Sequence, residues 1–295
     1  MRSEIGRWLA RMPHVSVDYD NFGNLIALYQ RGTAIPRFAF AAHMDHPGFV
    51  KEPGANKPAL FLGGVPEVYR AKNPPTQDFG NFAMWDLPAF ELKEGRIFSR
   101  ACDDLIGCAA IVAMFEELER TGAEASVYGL FTRAEEVGFV GAMQLAAERR
   151  LPQSVTVISL ETSSERGGAC KMGAGVIVRV GDRTSIFDSA TTALFVRWAT
   201  EAGIPFQRCL MSGGTCEATA YQLYGYRTAA LCVALGNYHN CGPEERIECE
   251  FVALEDVEAM ARLCIAAAKI TELCDPHSAL RIRLETEMAK FERFF

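Results

Sequence analysis

The chain has 295 residues, 49% of them apolar and 23% charged, which is the composition of an ordinary globular protein with a sizeable core. Its net charge of -7 at pH 7 disfavours nucleic acid and acidic membranes as partners, and we expect neither. No apolar run is long enough to predict a membrane span, and the first residues lack the apolar core of a signal peptide.

Short apolar runs alternate with segments of helical periodicity along most of the chain. Each apolar run predicts a strand buried on both faces, and the alternation predicts an α/β sandwich with a mostly parallel central sheet flanked by helices. The predicted strands are 38–42, 127–131, 155–160 and 229–235. The predicted helices are 105–120, 190–203 and 254–271.

Residues 47–100 interrupt this pattern with proline, glycine and short alternating segments. Loops of that length without structure are uncommon, so we expect a small β-rich inserted domain that serves oligomerisation or substrate access. Residues 1–46 and 101–295 then form the catalytic domain.

The ten cysteines contain no C-x-x-C pair. Cys232 and Cys264 lie inside apolar runs, whereas Cys102 and Cys216 stand beside polar motifs. This distribution is typical of reduced, buried cysteines, and it predicts a cytoplasmic protein.

Histidine and acidic residues follow the predicted strands at corresponding positions. In an open α/β sheet, ligands bind beyond the carboxyl ends of the strands, so these side chains are expected to meet there. One such residue alone is usually a cap or a solvated turn, but five clusters together favour a metal site. The clusters are His43-Met44-Asp45, Asp103-Asp104, Glu135-Glu136, Glu161 and His239.

The same residues belong to a longer set of motifs in a fixed order. Together the motifs resemble the TET-type, glutamyl-aminopeptidase-like branch of the co-catalytic di-zinc aminopeptidases, and the likeness spans nearly the whole chain. It implies a zinc-aminopeptidase-like α/β core, a β-rich insertion and a cytosolic homo-oligomer. The motifs are 43–45, 101–104 with Gly107, 135–138 with Gly141, 180–184 with 187–188, and 212–215.

The resemblance assigns roles to individual residues. It implies that Asp103 bridges two divalent metal ions and is followed by a cis peptide bond. His43 and Glu161 would complete one metal site, and Glu136 and His239 the other.

Two further residues receive catalytic roles from the resemblance. Asp45 would accept a hydrogen bond from the second ring nitrogen of His43 and fix its tautomer. Glu135 would be the general base: it would take a proton from a water molecule that bridges the metal ions, which leaves a bridging hydroxide, and pass the proton to the leaving amine. Because Glu135 and Glu136 are adjacent, a loop is expected there, so that the two side chains can point in different directions.

Two positions depart from the family's pattern. Glu161 stands where the family's aminopeptidases usually have aspartate, and glutamate occurs there in some carboxy-directed or deacylating members of the wider clan. The family's Gly-Gly-Thr-Asp element continues here as Thr215-Cys216-Glu217. Either Glu217 replaces the aspartate after a shift of one residue, or that carboxylate is missing.

The sequence therefore predicts a metallo-aminopeptidase that cleaves short peptides. The alternative is a dipeptidase, carboxypeptidase or N-acyl amino acid deacylase with the same two metal ions. From other classes, a glycosidase with paired carboxylates and a catalytically silent binding protein are further alternatives. Zinc is the expected metal, with cobalt and manganese as alternatives, since all three accept these ligands.

Overall fold

An eight-stranded sheet lies at the centre of the computed structural model, which describes residues 1–165, 168, 170–270 and 275–294. The strands are β1 (Val15–Tyr19), β2 (Leu25–Arg31), β3 (Phe38–His43), β4 (Gly48–Val50), β5 (Leu60–Leu62), β6 (Gln77–Asp78), β7 (Phe82–Met84), β8 (Glu91–Lys93), β9 (Arg96–Ser99), β10 (Ala125–Thr132), β11 (Thr156–Ser164), β12 (Val176–Gly181), β13 (Phe206–Leu210), β14 (Thr228–Leu235) and β15 (Glu250–Ala253). The helices are α1 (Arg2–Leu9), α2 (Glu67–Lys72), α3 (Cys102–Thr121), α4 (Val140–Ala147), α5 (Ser189–Glu201), α6 (Glu217–Leu223), α7 (Leu254–Ala268) and α8 (Ser278–Phe291).

The strand order of the central sheet is β1-β2-β10-β3-β11-β14-β12-β13. Strands β10, β3, β11 and β14 run parallel to one another, and so do β12 and β13. The β1–β2, β2–β10 and β12–β14 pairs are antiparallel. The predicted mostly parallel sheet is therefore confirmed. Its four central parallel strands end at one common edge.

Helices cover both faces of the sheet because alternate strand residues point to opposite sides. Along β3, Phe38 and Phe40 pack into a large core with α1, α3, α5 and α7. Ala39 and Ala41 point the other way and pack against α4 and α6. This arrangement is the predicted α/β sandwich.

Two predicted element boundaries are corrected by the structure. The strand predicted at 155–160 continues to Ser164, so Glu161 lies inside β11 and not at its end. The helix predicted from residue 105 begins at Cys102, and Asp103 and Asp104 within it have non-helical backbone angles. The end of the last predicted helix, Thr271, lies outside the described residues. No helix in the described ranges is both long and apolar enough to cross a bilayer.

Residues within 47–100 form two separate units. A four-stranded sheet of order β5-β4-β7-β6 has a small core around Phe49, Val65 and Trp85. The following hairpin, β8–β9, pairs instead with β15 of the main body. The hairpin thus connects the four-stranded sheet to the segment that carries Asp103.

Candidate metal centre

The predicted ligands converge at the carboxyl edge of the four central parallel strands. His43 is the last residue of β3, Glu136 follows β10, and His239 follows β14. Glu161 points to the same edge from within β11. Parallel strands bring these residues together because their carboxyl ends share one side of the sheet.

Asp103 contacts both histidines. Its Oδ1 lies 3.2 Å from Nε2 of His43, and its Oδ2 lies 3.6 Å from Nε2 of His239. The same nitrogen of His239 is 3.3 Å from Oε1 of Glu136. The peptide bond between Asp103 and Asp104 is cis, as the resemblance implies. Asp103 therefore occupies the position expected of a ligand shared between two ions.

Two groups of side chains have ligand atoms within 4.8 Å of one another: His43 with Glu135 and Glu161, and His43 with Asp103 and Glu136. The first group contains Glu135, for which the sequence analysis expects a role as base. The structure thus brings the five predicted ligands and Glu135 into one cluster.

The chemistry of this cluster fits divalent cations. Asp103 Oδ1 and Glu136 Oε1 are buried and have no hydrogen-bond partner in the described part of the chain, although imidazole nitrogens lie close by. Such buried, unsatisfied oxygens are costly unless a cation or a donor compensates them. Carboxylate and imidazole are ligands of zinc, cobalt and manganese. The residues present therefore suit a metal pair.

Burial and mutual charge shift the pKa values of these groups. Burial alone would raise the pKa of Asp103, but His239 and His43 hold it below its ordinary value. Burial alone would lower the pKa of His239, yet Asp103 and Glu136 raise it to about 11. Burial also raises the pKa of Glu161 to about 7. Metal cations that take the place of the imidazole protons would neutralise the negative charge of the same carboxylates.

Glu135 is held in an environment that favours its protonated form. Burial raises its pKa well above the ordinary value; His43 opposes this shift, and the carboxylates of Glu161 and Glu136 add to it. A carboxyl group with a raised pKa is suited to accept and return a proton.

Asp45 positions the loop that carries the two glutamates. Its Oδ1 accepts the backbone N–H of Glu135 and its Oδ2 that of Glu136, both at 3.2 Å. The resemblance implies that Asp45 accepts a hydrogen bond from His43. The acceptor at 3.0 Å from His43 Nδ1 is, however, the main-chain carbonyl of Asp45, whereas its carboxylate oxygen is 3.9 Å away. Asp45 therefore orients both a ligand and the expected base.

A tight loop between β10 and α4 separates the directions of Glu135 and Glu136, as expected from their adjacency. Glu135 lines the cavity described below, and Glu136 contacts His239. The loop folds back so closely that a Cβ atom on Gly141 would lie 2.3 Å from the carbonyl oxygen of Arg133. The backbone is so close here that no side chain fits at position 141, which explains why the motif has glycine there.

A cavity of about 450 Å³ opens beside the cluster, lined by the loop 212–215 and by two residues that the sequence analysis did not single out, Arg179 and Tyr238. Arg179 is only 4% exposed, and its Nε has no partner among the described residues. Its Nη1 lies 3.5 Å from Oγ of Ser163. An arginine inside the apolar segment 176–181 was the available sequence signal.

Tyr238 covers His239 at the cavity wall. The two rings stack with their centroids 3.9 Å apart and an angle of 21° between their planes. Residue type alone gave no signal for this contact, since it depends on the turn that follows β14. The stacking restricts the orientation of the imidazole.

The departure at Cys216-Glu217 also has a structural outcome. The backbone N–H of Cys216 donates to Asp182, another motif residue, at 3.1 Å. Glu217 is fully buried, and burial raises its pKa to about 8. The carboxyl group of Glu217 thus lies inside the protein, within electrostatic reach of His43 and Glu161.

Comparison with known proteins gives a family and a fold. The family model of M42 glutamyl aminopeptidase matches residues 77–263. A curated protein of Acetivibrio thermocellus, named "Putative aminopeptidase", is 25% identical over 181 residues, which is 60% of this chain. The match spans about half of that relative's length, 52%.

Two solved structures show the same fold. The TET1 peptidase of Pyrococcus horikoshii has a TM-score of 0.73 at 24% identity, with coverage of 90% of this chain and 92% of that one. The aminopeptidase APDkam598 of Desulfurococcus kamchatkensis has a TM-score of 0.74 at 20% identity, with coverage of 94% and 90%.

Proposed function

Because this chain belongs to the M42 glutamyl aminopeptidase family, we propose that it is a TET-type metallo-aminopeptidase that hydrolyses short peptides with two divalent metal ions. In this proposal His43 and Glu161 would hold one ion, Glu136 and His239 would hold the other, and Asp103 would be a ligand of both. Zinc is the proposed metal, because imidazole and carboxylate together are common zinc ligands.

The chain's own residues carry out the remaining tasks. Bound divalent cations lower the pKa of a water molecule and polarise the scissile carbonyl. Glu135 accepts the proton of the attacking water and delivers it to the leaving amine. Asp45 holds the backbone of Glu135 and Glu136 in place. Tyr238 and the loop 212–215 border the cavity in which a substrate would lie.

One observation carries this proposal: four buried proposed ligands and Glu135 line one cavity, and the fifth proposed ligand, Glu136, contacts His239 beside it. Elemental analysis of purified protein, combined with a screen of peptides and acyl amino acids, tests it. We expect two equivalents of metal, and release of N-terminal residues that a chelator stops and added metal restores. Protein without bound metal, or metal-loaded protein inactive on the whole panel, would contradict the proposal.

A second candidate is a dipeptidase, carboxypeptidase or N-acyl amino acid deacylase with the same metal centre. Arg179 favours it, because a buried guanidinium in the cavity wall suits the free C-terminal carboxylate that such substrates carry near the scissile bond. Matched substrates with a free or blocked amine, and with a free or amidated C-terminus, separate the two candidates.

We further propose a homo-oligomer in the cytoplasm. The related Pyrococcus horikoshii peptidase is described as able to assemble into a tetrahedron or a large octahedral shell, which supports assembly of this chain. Six described cysteines are buried free thiols, which supports a reducing compartment: Cys102, Cys108, Cys170, Cys216, Cys232 and Cys264. Light scattering on the purified protein measures the oligomer, and a monomer at micromolar concentration would contradict this part.

A further inference from the structure

Glu250 joins the backbones of two proposed metal ligands. It is fully buried at the start of β15. Its Oε2 accepts the N–H of Asp103 at 3.0 Å, and its Oε1 accepts the N–H of His239 at 2.9 Å. One carboxylate therefore bonds to two residues that lie far apart in the chain.

His46 contacts the backbone carbonyl of Asp103, whereas Glu250 contacts its N–H. Its Nδ1 lies 2.8 Å from the carbonyl oxygen of Asp103, and its Nε2 lies 2.9 Å from Oδ1 of Asn240. The amide nitrogen of Asn240 donates to the carbonyls of Arg100 and Glu248, both at 3.2 Å, so its oxygen must face the ring. Both ring nitrogens of His46 thus face oxygen atoms that can accept a hydrogen bond.

Neither Asp103 nor His239 has the backbone angles of a regular helix. Asp103 has non-helical backbone angles at the start of α3, and His239 has a positive φ of 54° in a short turn. Strand β15 is hydrogen-bonded to β9, which leads into Asp103, and Glu250 itself pairs with Ser99. Glu250 is therefore placed where it can set the separation of the two ligands.

We propose that Glu250 is a positioning residue that, together with His46 and Asn240, fixes the spacing of Asp103 and His239 and thereby the affinity for the metal pair. The proposal rests on the proposed function, since it presupposes that both residues bind metal. A carboxyl side chain suits the task because it has two acceptor oxygens, one for each N–H group. Glutamine offers only one acceptor, so it can hold only one of the two N–H groups.

The test measures metal binding directly. Wild-type chain, Glu250→Gln, His46→Gln and the control Glu244→Gln are stripped with a chelator and titrated with zinc by calorimetry. Glu244 is exposed in the segment between β14 and β15, and its side chain lies 3.7 Å from that of Arg246. We expect about a 10- to 100-fold loss of zinc affinity for Glu250→Gln, the range typical of residues that orient metal ligands, and a smaller loss for His46→Gln. The control should match the wild type.

A second readout separates positioning from a general structural role. Circular dichroism of the metal-free proteins should show the wild-type fold for Glu250→Gln, while kcat at limiting zinc falls and KM changes little. Saturating zinc should recover part of the lost kcat, because the ligands themselves are intact.

The possible failures are distinguishable. A wild-type chain that binds no zinc would overturn the proposed function itself. A wild-type chain that binds two ions, with Glu250→Gln equal to it in affinity and kcat, would overturn only the positioning role. If Glu250→Gln does not fold, His46→Gln decides: a folded variant with weakened zinc binding supports the proposal, and one with unchanged binding overturns it.

Discussion

The Nε2 atom of His43 lies 3.2 Å from Oδ1 of Asp103, although the whole insertion separates the two residues in the chain. His43 ends the buried strand β3, and Asp103 lies in the first turn of α3, which packs against that strand. The contact places a carboxylate between two imidazoles, because Asp103 also contacts His239.

Asp103→Asn should abolish binding of the metal pair, because the variant removes a carboxylate that contacts both His43 and His239. Elemental analysis should give less than one equivalent of metal where the wild type gives two, and peptide hydrolysis should be lost. Asp86→Asn, an exposed position in the insertion, should retain both. Full metal content in Asp103→Asn would contradict the bridging role.

Glu135→Gln should keep its metal and lose turnover. The substitution preserves size but removes the group that accepts a proton, so we expect kcat to fall by about 10²- to 10⁴-fold. The adjacent Glu136→Gln should instead lose metal, because Glu136 contacts His239. Steady-state kinetics and metal analysis of both variants check the assignment, which would be wrong if Glu135→Gln lost metal or retained wild-type turnover.

Arg179→Met should reduce selectivity for substrates that carry a carboxylate. Methionine fills much of the buried volume but provides no charged donor, and a hydrogen bond to a charged group contributes about 1.5–3 kcal/mol. We therefore expect kcat/KM to fall roughly 10- to 100-fold on acidic or C-terminally free substrates, and much less on neutral, amidated ones. An equal loss on both sets would mean that Arg179 has only a structural role.

Glu217→Gln should stabilise the metal-free protein at neutral and mildly alkaline pH. Burial raises the pKa of Glu217 from 4.5 to about 8. Below the lower value the group is protonated in both states. Between the two values only the unfolded state ionises, so the free energy of unfolding falls as pH rises through this window.

The glutamine variant removes this loss of stability. Its advantage over the wild type should grow between about pH 5 and about pH 8, to the order of a few kcal/mol. Urea unfolding in the presence of a chelator measures the difference, with the exposed Glu52→Gln as control. An advantage that does not change with pH would show that Glu217 is not buried in protonated form.

The sequence predicted the sheet and the proposed metal ligands because both leave local signals. Strands buried on two faces are continuous apolar runs. An ionisable residue beside such a run is close to the core, where burying its charge costs free energy unless a partner or a metal ion compensates it. His43, Glu136 and His239 stood at such positions. The likeness to a known family added the order of the motifs and the expected role of Asp103.

Other features could not be predicted because they depend on contacts between remote segments. The extension of β11 past Glu161 is set by its pairing with β14, and its sequence gave no sign of it. Likewise, His43 bonds to the carbonyl of Asp45 and not to its carboxylate, which is decided by the local path of the backbone.

The sequence by itself determined which side chains could bind metal, because that capacity belongs to the residue type. Only the tertiary structure decided that Glu250 and His46 hold the backbone of Asp103, and that Arg179 faces the cavity. Hydrogen bonds to main-chain groups leave no pattern in a sequence, since every residue except proline carries the same N–H and C=O, and only folding selects which of them meet.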